Sequence, residues 1–565
     1  MRPKSNLSIL IVSLLIITCF GGVALAATYN EAPMLKELVE QNLLPPVEER
    51  LPVEPLVVKP LNAIGKYGGR LRCATTSPNS WSDGDHGRIP YLFFTDTAVS
   101  EIEPQIAKGY EFTDDYTELV IYLREGMKWS DGHPFTSEDI MFWWKDVANN
   151  KELSPVLGAM WRNTEITAPD DYTIKLTFDK PNRPIMGYLA YWGAQQNNFF
   201  DPKHHLMQFH IDYNPNANEL AKEKGYEDWM ELFTAYRDIG PGQVNVDLPV
   251  VGEWVLKERS TTRKLYTRNP YFWAVDTAGN QLPYIDEWEV RIFSDQQVAI
   301  LETLQGDIDF AGMILNANEF PMYKRYEQEG GFRVLPWRNG DGAMATYGFN
   351  QNHPDPGLRE IFQDVRFRRA MSLAIDRDTI NEFVYLGQAE PCQSTVDPGA
   401  SYFEDWWLES YAEYDPEKAN QLLDEIGLTR GADGIRRRPD GSPLTILLQV
   451  PAGSDFGVAG SDEIQELVQG YWQDVGVDVD LRVVAREFYY TRAQAGELDV
   501  GMWNSDRTQE LRAYIPNITK YNMSSEVGYA VDWQTWYDTN GERGEEPPQH
   551  VKEYFELLDA WYTAA

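Results

Sequence analysis

The stretch that most constrains this chain runs from Leu119 to Trp144, because the period of its apolar residues changes once within it. Leu119, Ile121 and Leu123 alternate with Val120, Tyr122 and Arg124, the period of a strand whose two faces meet different surroundings. Glu125-Gly126 bends that strand. Met127 and Trp129 resume the alternation until Ser130-Asp131-Gly132 turns the backbone, since Gly tolerates the positive φ that such turns need. From there the period is helical. Thr136 is placed to cap a helix with Asp139 three residues on, and Ile140, Trp143, Trp144 and Val147 fall on one buried face. Strand, turn and helix in this order make an α/β unit, and on its own an ordinary one.

At 565 residues the chain exceeds what one compact core accommodates, so two or three domains are expected. Residues 7 to 20 form an apolar run, preceded by Arg2 and Lys4 and followed by Ala24-Leu25-Ala26, the pattern of a secretory signal peptide over 1–26. The run is short for a membrane span, and Ile16-Ile17-Thr18 is a poor lipobox before Cys19. The formal charge of -37 becomes -39 once Arg2 and Lys4 leave, because the leader carries no acid. So acidic a surface repels nucleic acid and anionic lipid, which excludes a nucleic-acid partner. Outside the leader, Cys73 and Cys392 remain. Export permits a disulfide between them, and two buried free thiols are equally compatible with the sequence.

Taken in order, Tyr29 to Leu44 reads as a short helix stopped by Pro45-Pro46, and Val47 to Pro60 as an extended, Pro-rich strap. Gly65 to Cys73 starts the fold proper with a strand. Asp170-Asp171-Tyr172 to Phe178 is a turn and an alternating strand. His204, His205 and His210 lie close together, but without acid or Cys ligands at a coordinating spacing they read as surface loop, not as a metal site. Gly252 to Trp273 reads as a hairpin, and Leu282 to Phe293 as a further strand. A helix to Leu304 then precedes Gly306-Asp-Ile-Asp309 and Phe310. The same sequence of helix, Gly, acid, aliphatic, Asp and strand recurs at Gly496-Glu-Leu-Asp499 and Val500, as two lobes built on similar units would produce.

The second half is the most regular. Asp364 and Asp376 each cap a helix, burying Phe367, Ala370, Met371 and Ala374 in the first and Ile380, Phe383 and Val384 in the second. Asp415-Pro416 opens a third helix, and Ile464, Leu467, Val468, Tyr471 and Trp472 form a fourth stripe. Strands Leu444 to Val450, Val477 to Val484 and Val500 to Trp503 alternate with these helices, which is α/β order.

Leu123-Arg-Glu-Gly-Met-Lys-Trp-Ser-Asp-Gly-His-Pro-Phe-Thr-Ser-Glu-Asp-Ile140 resembles the signature of the family 5 extracellular solute-binding proteins, the peptide, nickel and oligosaccharide receptors of ABC importers. Glu31-Ala-Pro-Met-Leu followed by Leu44-Pro-Pro-Val-Glu-Glu-Arg-Leu-Pro52 is similar to the leader of a long subgroup. Asn269-Pro-Tyr-Phe-Trp273, Leu282-Pro-Tyr-Ile-Asp286, Val365-Arg-Phe-Arg-Arg-Ala-Met and Tyr414-Asp-Pro-Glu-Lys-Ala extend the resemblance from Tyr29 to the C terminus. It implies an α/β, bilobal periplasmic-binding-protein-like fold (type II, cluster C). Lobe I would comprise 66–95, 198–335 and 529–565, with an extra subdomain over 96–197, and lobe II 336–528, after an N-terminal helix and strap over 27–65. Family members continue past the position of Gly544-Glu-Glu-Pro-Pro with a helix and closing strands, so the end at Ala565 is expected to leave strands of the first lobe unmatched.

There is no Gly-x-Ser-x-Gly, phosphate loop, zinc-spaced Cys pair or His-Glu-x-x-His, so no catalytic residue, metal site or cofactor is expected from the motifs. What stands above background is aromatic: 18 Trp, 31 Tyr and 24 Phe. Trp143, Trp144 and Trp472 lie on helical stripes and belong to cores. Trp81, Trp192, Trp406, Trp407 and Trp503 lie in polar or turn contexts, where a flat face can grip a sugar ring or varied side chains. In the peptide receptors that the chain resembles, a Trp-x-x-Asp at a strand end sets the Asp against the peptide's ammonium group, and Trp503-Asn-Ser-Asp506 occupies the matching place. The usual following Pro is absent, and Val156 stands where peptide binders carry an aromatic. The expected ligand contacts are thus Trp503, Asp506, Trp81 and Trp192. The expected function is that of a monomeric, exported receptor that closes two lobes over an oligopeptide or short oligosaccharide and passes it to a membrane permease. A secreted glycoside hydrolase using two carboxylates is the alternative, and a cargo-free surface protein a third reading.

Overall fold

The computed structural model describes residues 29–95, 101–155, 157, 161, 163–191, 199–315, 319–337, 342–451, 462–505, 508, 523 and 527–562. After a helix at Pro33–Glu40, the segment expected to be wholly extended makes one helical turn at Val47–Arg50 before strand β1 (Leu56–Val58). The reason is Arg50. Its guanidinium is fully buried and donates to the Pro45 and Pro270 carbonyls, to Gln281 and to the Glu31 carboxylate, and only a turn brings it inward. The leader expected over 1–26 lies outside the described residues.

The next strands are β2 (Arg70–Thr75), β3 (Phe93–Thr95), β4 (Ile102–Pro104), β5 (Ala107–Phe112), β6 (Glu118–Leu123), β7 (Thr164–Asp170) and β8 (Thr173–Phe178). They are followed by β9 (Trp254–Arg259), β10 (Arg263–Arg268), β11 (Ala274–Asp276) and β12 (Glu287–Ile292). The last four are β13 (Ala343–Phe349), β14 (Thr445–Pro451), β15 (Asp478–Val484) and β16 (Val500–Ser505). Among the described residues, three four-stranded sheets form, in the orders β2-β12-β10-β9, β5-β6-β8-β7 and β13-β16-β14-β15. The middle one is wholly antiparallel, while the other two mix parallel and antiparallel pairs. β1 pairs in parallel with β11, which ties the strap to a segment more than 200 residues further along the chain.

The opening motif folds largely as its periodicity dictates. Leu119, Ile121 and Leu123 of β6 are fully buried, and Thr136 and Asp139 form a reciprocal capping box at the helix Ser137–Phe142. Beyond it the helix widens to a π turn over Trp143–Ala148, which still buries Trp143, Trp144 and Val147. The surrounding core runs from Ile89 to Ala274. A second core, from Phe349 to Val527, fills the sheet that contains β13 and the helices Pro356–Gln363, Val365–Leu373, Pro416–Glu425 and Asp462–Asp474. Asp364, Asp376 and Asp415 cap helices where expected, and Trp472 is buried, its indole N–H donating to the Met371 carbonyl.

Several expectations differ. Phe383 is exposed, because its helix ends there and only Ile380 and Val384 turn inward. Gly306-Asp-Ile-Asp309 does not lead into a strand. Asp309 instead donates its N–H to Arg72 and accepts the Arg72 N–H at the free edge of β2, while the second copy does open β16. His210 is not in a surface loop. It is buried, with Nε2 3.1 Å from the Asp146 carbonyl oxygen. The C-terminal segment makes hydrogen bonds to residues 351–359: the Asp532 N–H to Asn352, Arg359 to Glu545, and the Gln351 N–H to the Tyr529 carbonyl. Both cysteines are free, Cys73 buried and Cys392 half-buried.

Candidate ligand-binding cavity

A cavity of about 930 Å³ opens beside β13. β13 is an edge strand, and all of it lines the cavity, so its backbone is a wall and not only a support. Two glycines let neighbours come this close. A side chain at Gly348 would strike Val527 and Tyr529, and one at Gly342 would strike the Thr395 carbonyl of the facing loop. The remaining walls include residues of the helix Val365–Leu373, Arg377, Asn381 and Tyr385, the loop from 388 to 398, Trp472, Ser505 at the end of β16, Phe320 at the start of the helix Phe320–Gly330, and Trp337.

A polar knot fastens the loop. Arg377 donates to the Ser372 carbonyl at 3.0 Å, to the Ala412 carbonyl at 3.1 Å and to the Ser372 hydroxyl at 2.9 Å. The Ser372 hydroxyl donates to the Tyr411 carbonyl and accepts from Gln393, whose own N–H reaches the Leu408 carbonyl. Burial pulls the Arg377 guanidinium below its ordinary value, opposed by neighbouring Cys392 and Tyr347. The second wall arginine, Arg368, donates to the Phe362 carbonyl at 2.6 Å and to Gln351 at 3.4 Å. Both cations are thus engaged within the protein. Tyr347 donates its hydroxyl to Gln465 at 2.8 Å, and its ring meets Trp472 edge-on at 5.3 Å. Desolvation pushes the Tyr385 phenol up to about 12, so it offers a neutral hydroxyl at any ordinary pH.

Of the residues expected as ligand contacts, Trp503 and Trp81 are among the described residues. Trp503 is 6% exposed, stacks on Tyr489 and meets the Tyr490 ring at a tilt, with the Arg486 guanidinium 5.2 Å from its ring. It is not among the cavity-lining residues, although Ser505, two residues on, is. Trp81 is half-buried against the first core, away from this cavity. Trp192, Val156 and Asp506 lie outside the described residues. Among the described residues no group of three His, Cys, Asp or Glu could hold a metal ion. His204 instead stacks on His133, ring centroids 3.9 Å apart, and meets Asp131 at 2.8 Å. Sequence reasoning missed β13, Arg368, Arg377 and Trp337. The signal for β13 was present, in that Ala345, Tyr347 and Phe349 alternate after Gly342.

What this arrangement offers is enclosure, with aromatic faces, neutral amides and hydroxyls, and a backbone edge. The sequence profile of the bacterial extracellular solute-binding proteins, family 5 (middle), matches residues 101–514. A periplasmic alpha-galactoside-binding protein from Rhizobium meliloti (strain 1021) is 28% identical over 444 residues, 72% of this chain, and the match spans 60% of that relative's length. Among solved structures, the oligopeptide-binding protein OppA superposes with a TM-score of 0.63 at 34% identity, covering 95% of this chain and 86% of that one. The periplasmic binding protein MelB of Agrobacterium fabrum C58, solved with stachyose, superposes with a TM-score of 0.73 at 22% identity over 95% of this chain and 82% of its own. The α/β fold is that of the bilobal periplasmic binding proteins. Since the profile covers most of the chain and a relative at 34% identity shares the architecture nearly end to end, the protein belongs to the bacterial extracellular solute-binding proteins of family 5.

Proposed function

We propose that this protein is the solute receptor of an ABC importer, taking up a short oligosaccharide or oligopeptide outside the cytoplasmic membrane and handing it unaltered to a membrane permease. The observation that carries the reading is the cavity of about 930 Å³ built from the β13 edge and the anchored loop. Its volume suits a solute of several linked units. Its described walls hold enclosing and hydrogen-bonding groups, and the two carboxylates among them, Glu390 and Asp397, sit in a loop where Asp397 accepts the Gly399 N–H at 2.6 Å. That is poor footing for the paired acid and base that glycoside cleavage needs.

Function then follows from closure. A monomer samples open and closed arrangements of its lobes, and a solute touching both lobes only when they are shut shifts the population toward the closed form. Should the solute be a peptide, Asp506, next to the wall residue Ser505, is the proposed partner of its ammonium group, with Trp503 bracing the strand end behind it. Trp81 and Trp192 are the proposed first-lobe contacts on closure. The test is small-angle scattering of the purified protein with and without bound solute, followed by mass analysis of the released solute. Contraction on binding and an intact solute are expected. Unchanged dimensions with a tightly held solute, or a cleaved one, would overturn the reading.

A further inference from the structure

We propose that the solute carries a carboxylate or phosphate group and that Arg368 and Arg377 in the cavity wall are its counterions, an assignment that rests on the receptor reading above.

The first observation is what the two guanidiniums lack. Arg368 commits only Nη1, to the Phe362 carbonyl and the Gln351 amide oxygen, and Arg377 commits Nη1 and Nη2 to main-chain carbonyls and the Ser372 hydroxyl. Each of those acceptors is neutral, so both positive charges stand uncompensated. Among the described residues neither arginine forms an ion pair: Asp364, whose charge bears on Arg368, is held by Arg366 at 2.7 Å, and the wall acids Glu390 and Asp397 reach neither arginine. Acids are not scarce, since the chain has 87 of them to 50 Lys and Arg. Elsewhere buried arginines do take one, and Arg88, Arg237 and Arg436 meet Asp85, Asp201 and Asp424 at 2.8, 2.6 and 2.6 Å. Arg124, which donates only to the Gln105 and Glu54 carbonyls, lies over the Trp273 ring and is not among the residues of the cavity.

The second observation is where the unused donors stand. Both arginines line the cavity, and Nε and Nη2 of Arg368 and Nε of Arg377 have no acceptor among the described residues. Nε with Nη2 is the fork of parallel N–H groups that matches two oxygens of a carboxylate or phosphate. Burial holds both guanidiniums below their ordinary pKa, as it does for a charge whose lost hydration nothing has replaced. An anionic oxygen entering the cavity replaces it, whereas a neutral hydroxyl leaves the charge as it was. The formal charge of -37 opposes the approach of such a solute, but that repulsion acts through water and is screened over about 8 Å at physiological ionic strength. Pairing inside an enclosed cavity is screened much less, so the local attraction outweighs it.

The experiment uses matched pairs that differ in the anion alone: trigalacturonate and its trimethyl ester, trehalose monophosphate and trehalose, tetra-alanine and its C-terminal amide. Each is titrated calorimetrically into the purified protein, stripped of retained solute by reversible unfolding, as wild type, Arg368→Met, Arg368→Lys and Arg377→Met. In at least one pair the anionic member is expected to bind at least about tenfold more tightly than its neutral partner, and that pair identifies the source of the anion. Arg368→Met should cut this ratio about tenfold, Arg377→Met should cut it severalfold, and Arg368→Lys should restore part of it. A side chain that only holds the wall together weakens both members of a pair alike, so a ratio that Arg368→Met and Arg377→Met each change by less than twofold overturns the counterion role. Equal binding of both members of every pair that binds overturns the anionic solute and leaves the receptor standing. Where no pair binds, mass analysis of the solute retained by the unstripped protein decides: a solute with neither carboxylate nor phosphate overturns the proposal, and one bearing either, lost from Arg368→Met, supports it. Absence of any retained solute, any titration heat and any contraction defeats the receptor reading together with this one.

Discussion

The Asp83 carboxylate accepts the Gly312 backbone N–H at 2.9 Å, joining two segments 229 residues apart. It also accepts the Met313 N–H, yet burial outweighs these bonds and pushes its pKa up to about 6. A carboxyl raised in the folded state holds its proton there while the unfolded chain has lost it. Stability therefore falls as pH rises from about 4 to about 6, by roughly 3 kcal/mol for a shift of this size. Denaturant unfolding of wild type and Asp83→Asn across that range should show the smaller slope in the variant. Parallel slopes would mean that Asp83 does not titrate in this window.

Asp355 works in the opposite sense. Its carboxylate caps the helix Pro356–Gln363 through the Gly357 and Leu358 N–H groups and meets Arg438 at 2.6 Å, which lowers its pKa to about 2. Its contribution is whole above about 4 and disappears as pH falls toward 2. Asp355→Ala should cost about 1 kcal/mol at pH 7, the worth of a lost cap, and the gap to wild type should close on acidification.

Cys392 lies in the cavity wall and is half-buried, whereas Cys73, in β2 opposite Val290 of β12, is fully buried. A maleimide should therefore modify Cys392 well before Cys73, and saturating solute should slow that modification severalfold. Arg377→Met removes the donors that pin the loop at Ser372 and Ala412. It should speed modification of Cys392 and weaken solute binding while the protein stays folded. Equal rates with and without solute would place the bound solute elsewhere.

Removing the Arg50 side chain leaves the Glu31 carboxylate and three main-chain or amide oxygens without their buried donor. Arg50→Met should cost about 3 to 5 kcal/mol, measured by denaturant unfolding. A loss below about 1 kcal/mol would show that the strap adds nothing to the fold.

Much of the scaffold was legible because local chemistry and tertiary fate agree in it. Asp364, Asp376 and Asp415 each precede an apolar stripe, and each caps the helix that buries it. The strap was not legible, because the turn at Val47–Arg50 answers to Pro270 and Gln281, far along the chain. The cavity was the least legible part. Arg377 and Gln393 look like ordinary polar residues until Ser372 and Leu408 are brought beside them, and Trp337 differs from the core tryptophans only in what fails to cover it. Trp503 sits in a polar stretch of sequence, yet Tyr489 and Tyr490 of the preceding helix enclose it.

The clasp between Arg50 and Gln281 spans 231 residues, and β1 likewise waits for β11. In any vectorial emergence, from a ribosome or through a secretion channel, the strap therefore cannot find its place until about half of the chain has followed it. Until then its apolar and charged groups stay in water, an interval in which a holding chaperone has a segment to grip and a protease has one to cut.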